Sequence, residues 1–149
     1  MVLRVNPDDA GAHYYGLHLN YVAKGMYKES IPELEKAAAA VGFPEAATRI
    51  HQAFVVSGYQ GATRQWAKEL EHLIATHQAY FPVILARTYV MLGDKDRAFS
   101  WLEEAYRHRD IHSLSLDSHL AWINVDPRFD PLRSDPRFKD LLRQMGLPP

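Results

Sequence analysis

The chain has 149 residues, 47% of them hydrophobic and 23% charged, which is typical of one soluble globular domain. Seventeen basic residues nearly balance eighteen acidic ones, and this balance argues against a non-specific binder of nucleic acid or of an anionic membrane. No cysteine is present, which excludes disulfides, thiolate metal sites and a cysteine nucleophile.

The first residues, Met1–Pro7, lack the charged start and apolar run of a signal peptide. No stretch of the sequence approaches the roughly 18 consecutive apolar residues that a membrane-spanning helix needs. We therefore expect a cytoplasmic protein that does not enter a membrane.

The first predicted helical hairpin covers residues 10–43. Its first helix, Ala10–Lys24, ends at Gly25, where glycine allows the chain to turn left-handed. Its second helix, Tyr27–Ala40, contains Pro32, which we place near the first turn, where amide donors have no acceptor within the helix. The apolar side chains of the pair recur at helical spacing: Tyr14, Leu17, Tyr21, Ile31, Leu34 and Ala37.

The second predicted hairpin covers residues 44–77 and follows the helix stop at Gly42. Its first helix should end at Ser57–Gly58. This copy is the weakest of the three, because Thr63 and Leu70 stand where a small alanine would pack best. Its inward positions are Ala47, Ile50, Phe54, Thr63, Ala67 and Leu70.

The third predicted hairpin covers residues 79–109. Ala98 and Ala105 are small, as expected where two helices cross at short distance. The pattern of this copy is carried by Leu85, Tyr89, Gly93, Ala98, Leu102 and Ala105.

Beyond these hairpins, residues 110–149 should form a C-terminal cap. A short helix is expected around Asp117–Trp122. The sequence Asp-Pro-Arg-Phe then occurs twice, at residues 126–129 and 135–138, and aspartate followed by proline is a strong signal for a helix start. We expect Phe129 and Phe138 to pack on the third hairpin, beneath an amphipathic C-terminal helix.

Three copies of one helix-turn-helix pattern, at spacings of about 33 and 35 residues, resemble the tetratricopeptide repeat. The resemblance implies an all-α solenoid of about three repeats closed by a C-terminal capping helix, in a single domain over residues 1–149. The segment from Leu92 to Phe138 is also similar to the closing segment of bacterial signalling proteins, where it follows a kinase, cyclase or winged-helix domain. A stand-alone relative and a piece of a larger protein both remain open.

Tetratricopeptide repeats bind a peptide or a partner's helix in a concave groove lined by the first helix of each repeat. The resemblance therefore implies a non-enzymatic protein-interaction module without a cofactor. Arg49 and Arg87, one repeat apart, could each bind a carboxylate of an acidic partner. The lysine and asparagine set of repeats that bind chaperone C-termini is missing. The implied groove residues are Tyr15, Leu19, Val22, Thr48, Arg49, Gln52, Val55, Tyr80, Ile84, Arg87 and Met91.

Two other functions are compatible with the sequence. The first is self-association into a homodimer, because three repeats make a short groove. The second is catalysis or metal binding, for which His108 and His112, and the serines near His112 and His119, are the candidates. No zinc-peptidase spacing or serine elbow accompanies them. The glutamate pairs, such as Glu69 and Glu71, are expected to be solvated charges on outer helix faces.

Overall fold

A computed structural model describes residues 7–108, 120 and 123–148. All regular secondary structure in these residues is helical, which confirms the all-α class. The short helix expected at Asp117–Trp122 lies largely outside the described residues. The elements are α1 (Pro7–Ala23), α2 (Tyr27–Ala40), α3 (Pro44–Ala75), α4 (Pro82–Met91), α5 (Lys95–Arg107), a 3-10 helix (Pro127–Leu132) and α6 (Pro136–Gln144).

Contacts within the chain divide it into two compact units, Met1–Glu69 (unit 1) and Leu70–Pro149 (unit 2). The boundary falls inside α3. Each unit has its own buried apolar side chains, so the two are described separately below.

In unit 1, α1 and α2 form the first predicted hairpin, and α2 has the predicted bounds. The inward positions on α2, Ile31, Leu34 and Ala37, are at most 5% exposed. The position expected for Pro32 was wrong: it is the sixth residue of α2 and so lies in the second turn. Pro32 and Lys28 are both exposed, so the helical hydrogen bond that proline cannot make is lost at the surface of the helix.

The predicted break at Ser57–Gly58 divides α3 into two helical halves. Gly58 has φ 64° and ψ −161°, a region essentially open only to glycine. Just beyond it, a Cβ on Gly61 would lie 2.4 Å from the Ser57 Cβ and 2.9 Å from the Ala53 carbonyl oxygen. The second half therefore folds back tightly against the first, and the inward positions Ile50, Thr63 and Ala67 are buried.

In unit 2, α4 and α5 form the third predicted hairpin. Asp94 caps α5 by accepting a hydrogen bond from the Arg97 amide at 3.1 Å. The described side chains at the predicted packing positions are at most 6% exposed, which confirms that part of the pattern: Leu85, Tyr89, Ala98, Leu102 and Ala105.

The two Asp-Pro-Arg-Phe motifs both start helices, as predicted. Asp126 accepts a hydrogen bond from the Arg128 amide and Asp135 accepts one from the Arg137 amide, each at 3.0 Å. The first motif starts the 3-10 helix beside α4, and the second starts α6 beside α5. Phe129 and Phe138 are at most 2% exposed, so both rings are buried as predicted, and Arg87 of α4 lies 5.6 Å from the centre of the Phe129 ring.

One helix end carries an unusual residue. After α3, the His77 amide bonds to the Ile74 carbonyl and the Gln78 amide to the Leu73 carbonyl. The same pair of bonds closes α1 at Gly25 and α4 at Gly93. His77 has φ 57°, the left-handed conformation that a residue with a side chain disfavours. Among the described residues, it is the one non-glycine residue with a positive φ.

We predict that His77→Gly raises the free energy of unfolding by about 1 kcal/mol, because the substitution removes the strain of a side chain in the left-handed region. Urea denaturation of the two proteins measures this difference. His72→Gly, at an exposed position within the helical part of α3, is the control and should lower stability by about 1 kcal/mol. Equal destabilisation by both substitutions would contradict the assignment.

Candidate functional site

The groove residues predicted for the second repeat lie on one exposed helix face in unit 1. Gln52 follows Thr48 by four residues and Arg49 by three, and Val55 follows Gln52 by three, so these side chains project to the same side of the first half of α3. Val55 is 70% exposed, and the neighbouring Val56 is 83% exposed. We call this surface the α3 face; it consists of Thr48, Arg49, Gln52, Val55 and Val56.

Val56 was missed by the sequence reasoning, although a signal was present. Helical spacing places it seven residues after Arg49 and four after Gln52. The repeat pattern predicted only Val55 as a groove residue, whereas helical geometry places both valines on the solvent side just before the break at Ser57–Gly58.

Arg49 on this face is held by an internal carboxylate. Its Nε donates to Glu69 Oε1 at 2.5 Å and its Nη2 donates to Glu69 Oε2 at 2.8 Å, while Gln65 also donates to Glu69. Glu69 is only 5% exposed, so the expectation that it is a solvated charge was wrong. The bidentate arginine compensates the buried charge. The Arg49 side chain nevertheless stays 50% exposed.

The groove positions predicted on α1 are less accessible. Leu19 is 7% exposed and forms part of the core of unit 1. Tyr15 and Val22 are partly buried. These side chains offer a partner much less apolar surface than the two valines of the α3 face.

Unit 2 uses its predicted groove positions mainly for its own packing. Ile84 is 8% exposed, and Tyr80 and Met91 are partly buried. Arg87 is 2% exposed; its Nη2 lies 3.3 Å from Asp126 Oδ2, and its guanidinium carbon lies 5.6 Å from the centre of the Phe129 ring. The prediction that Arg87 binds a partner's carboxylate was wrong, because this charge joins α4 to the C-terminal segment.

Burial raises the pKa of Asp126, but the hydrogen bonds from Arg128 and the charges of Arg128 and Arg87 outweigh it. The net pKa therefore lies below the usual value. Asp126 consequently keeps its negative charge at neutral pH, which the buried Arg87 requires.

Two further arginines, Arg133 and Arg137, contact aromatic rings at or near the second Asp-Pro-Arg-Phe motif. The Arg133 guanidinium lies 5.4 Å from the centre of the Phe138 ring and donates to the carbonyls of Asn124 at 2.6 Å and Asp126 at 3.1 Å. Arg137 lies 4.3 Å from the Phe99 ring. These cation–π contacts hold the C-terminal segment in place, and the sequence reasoning did not foresee them.

A second exposed surface of unit 1 lies at the turn between α1 and α2. Met26 is 39% exposed and Tyr27 is 46% exposed. The rings of Tyr27 and Tyr59 lie 4.5 Å apart, so this turn contacts the residues that follow the break in α3. We call this surface the tip; it consists of Lys24, Met26, Tyr27 and Lys28.

His18 lies in the interior of unit 1, 1% exposed, where its Nδ1 donates to the Ser30 carbonyl at 3.0 Å. Burial lowers the pKa of His18 to about 4, and the hydrogen bond to Ser30 opposes this only in part. The ring is therefore neutral at pH 7 and fixes α1 against α2. His51, at the equivalent repeat position, is exposed and contacts Glu35 at 2.9 Å.

The described residues contain no group of three or more His, Asp or Glu side chains able to hold a metal ion. A depression of about 520 Å³ lies at the start of α5 beside Asp94, Asp96 and Arg137. Arg137 pairs with Asp96 at 2.8 Å and with Asp135 at 2.9 Å, so its guanidinium is already bound by two carboxylates of the chain. The remaining candidates for catalysis or metal binding lie outside the described residues: Ser113, Ser115, Ser118, His112 and His119.

Comparison with protein-family models, with curated proteins and with solved structures finds no match to this chain. In the described part of the chain, every helix is too short or too polar to cross a membrane.

We predict that Arg87→Ala lowers the free energy of unfolding by about 3 kcal/mol, because it removes one partner of a buried ion pair. Arg107→Ala is the control, since Arg107 pairs with Glu104 at 2.9 Å on the surface and its loss should cost less than about 1 kcal/mol. Chemical denaturation measures both. A small cost for Arg87→Ala would show that the pair with Asp126 does not hold the C-terminal segment.

We predict that unit 1 loses stability as the pH falls. The pKa of His18 is lowered in the folded state, so the unfolded chain binds the proton more readily. The contribution of neutral His18 to the free energy of unfolding is about 3 kcal/mol. It is complete above pH 6.5 and declines as the pH falls toward 4. Urea melts at pH 7 and 4.5 measure it. His18→Gln lacks the titrating ring and should lose less stability over this interval; equal losses would contradict the role of His18.

Proposed function

We propose that this chain is a non-enzymatic, tetratricopeptide-like protein-interaction module that binds a peptide or helix of a partner on the α3 face. The observation that carries the proposal is the exposure of two adjacent valines, 70% and 83%, in the first half of α3. Thr48, Arg49 and Gln52 on the same face provide polar contacts beside them.

The distribution of exposed apolar side chains supports this choice of surface. Among the described residues, the large hydrophobic side chains that remain exposed are Met26, Tyr27, Val55, Val56 and Val125. Four of these five lie in unit 1. Met26 and Tyr27 are at the turn between α1 and α2, and Val55 and Val56 precede the break in α3. The contact between the Tyr27 and Tyr59 rings joins this turn to the residues after the break. Clustered exposed apolar residues are typical of interaction sites, whereas single ones are common on any surface.

The energy available from this surface is sufficient for moderate affinity. Burying a valine side chain contributes about 1.5 kcal/mol or more, so two valines improve binding by about a hundredfold. Met and Tyr at the tip belong to the residue types that are enriched in protein interfaces. Arg49 is half exposed and can contact an acceptor on the partner while it keeps its two bonds to Glu69.

We predict that Val55→Glu/Val56→Glu abolishes partner capture, because two charges replace the apolar surface that the partner buries. The melting temperature should stay nearly constant, since both side chains are already exposed. Affinity capture from a lysate of the source organism, with wild type and variant in parallel, measures this effect. Capture of the same protein by both would contradict the proposal.

Val125→Glu is the matched control, because Val125 is 63% exposed and lies in unit 2. This variant should retain the partner. Static light scattering of wild type and variants separates the alternative, a homodimer: a dimeric mass that becomes monomeric in the Val55/Val56 variant would assign the α3 face to self-association instead.

A further inference from the structure

We infer that Tyr27 and Tyr59 form an oxidative modification site, at which one-electron oxidation driven by a peroxide joins the two rings as an intramolecular dityrosine. The new bond ties the tip to the second half of α3. This modification is a property of unit 1 itself and is independent of partner binding on the α3 face.

The two rings are in direct contact within unit 1. Their centroids lie 4.5 Å apart, and the ring planes are inclined by 32°. Rings at this distance and inclination lie partly over one another, which is a favourable geometry for an aromatic pair. The carbons ortho to the two hydroxyls, where phenoxyl radicals couple, are therefore within reach of each other after small motions of the rings.

Buried hydroxyl groups hold the backbone of both tyrosines. Ser30 Oγ donates to the Tyr27 carbonyl at 2.7 Å, and Thr63 Oγ1 donates to the Tyr59 carbonyl at 2.8 Å. Ser30 is 0% exposed and Thr63 is 2% exposed. The ring contact is thus anchored in the interior of unit 1 and is not a chance approach of two mobile side chains.

Exposure decides which ring meets an oxidant first. Tyr27 is 46% exposed at the tip, whereas Tyr59 is partly buried. Burial also raises the pKa of Tyr59, so this ring is a neutral phenol at pH 7 and is harder to oxidise than a phenolate. Oxidation therefore begins at Tyr27. Tyr59 follows by passing an electron to the Tyr27 radical across the contact, while the phenolic proton of Tyr59 goes to water.

The reaction balances with hydrogen peroxide as the oxidant and a haem peroxidase as the catalyst of electron transfer. Each phenol loses one electron and one proton and becomes a phenoxyl radical. The two radicals form one carbon–carbon bond between ortho carbons, and the hydrogens on those carbons then move to the oxygens and restore both phenols. Two hydrogens are lost in total, and one molecule of peroxide takes them up as it is reduced to two molecules of water.

The cross-link closes a covalent ring over residues 27–59, from the start of α2 to the residue after the break in α3. A covalent ring restricts the unfolded chain, as a disulfide does, and leaves a native contact that already exists nearly unchanged. Oxidation at this pair should therefore stabilise unit 1.

The test treats the full chain with hydrogen peroxide and a haem peroxidase at several protein concentrations. We expect a monomer that has lost two hydrogens and shows dityrosine fluorescence, in a yield independent of protein concentration, because the partner ring is already in contact. After trypsin digestion, mass spectrometry should find residues 25–28 joined to residues 50–64. The cross-linked monomer should melt about 5–10 °C above the untreated protein.

Tyr27→Phe and Tyr59→Phe should each lower the yield of dityrosine in the monomer about tenfold or more, because phenylalanine forms no phenoxyl radical. Tyr14→Phe is the matched control in the same unit; the Tyr14 ring lies 5.6 Å from the His13 ring, and this variant should keep the wild-type yield. Met26→Leu is a second control, since peroxide can also oxidise the exposed Met26 thioether. That reaction adds one oxygen instead of removing two hydrogens, and Met26→Leu should keep the wild-type yield of dityrosine.

Dityrosine found only in covalent dimers would show that the two rings do not couple within one chain and would overturn the inference. A link between other tyrosines, or a yield in Tyr27→Phe equal to that of wild type, would do the same. None of these results bears on capture of a partner by the α3 face, which the Val55→Glu/Val56→Glu variant tests separately.

Discussion

Each helical hairpin of this protein depends on a close approach of its two helices through small side chains. Ala38 and Ala62 in unit 1, and Ala86 and Ala98 in unit 2, are fully buried. Helices that meet through alanine leave no room for larger residues and use their inner faces completely. The outer faces are then available to solvent or to a partner, and in unit 1 one of them carries Val55 and Val56.

The arginines of the two units have different physical roles. In unit 2, Arg87, Arg133 and Arg137 lie against aromatic rings and bind acceptors of the C-terminal segment. They replace apolar packing with cation–π contacts and charge-assisted hydrogen bonds. In unit 1, Arg49 neutralises Glu69 but keeps half of its side chain in solvent. Arg87 is therefore an internal charge of unit 2, whereas Arg49 stays half exposed in unit 1.

The two most exposed apolar side chains of unit 1, Val55 and Val56, lie directly before the break at Ser57–Gly58, where the first half of α3 stops. The second half returns along the first and covers the inner face only. The surface proposed for partner binding thus arises from a local backbone reversal.

Much of this could be predicted from the sequence. Helical periodicity identified the hairpins, and the two Asp-Pro-Arg-Phe motifs identified the starts of the 3-10 helix and α6. The groove positions Thr48, Arg49, Gln52 and Val55 proved to share one exposed face. These features are local, because a few neighbouring residues determine the turn, the cap and the direction of each side chain.

Only the tertiary structure decided which helix faces are covered. Arg87 occupies a groove position in the repeat pattern, yet it pairs with Asp126, 39 residues away, and is buried. Glu69 belongs to a polar pair typical of an outer face, yet Arg49 makes its burial possible. Spacing along the chain gives the direction of a side chain, whereas its environment depends on which distant segment packs there. The sequence therefore determined the helices and their turns, and tertiary contacts decided which charges are structural and which can meet a partner.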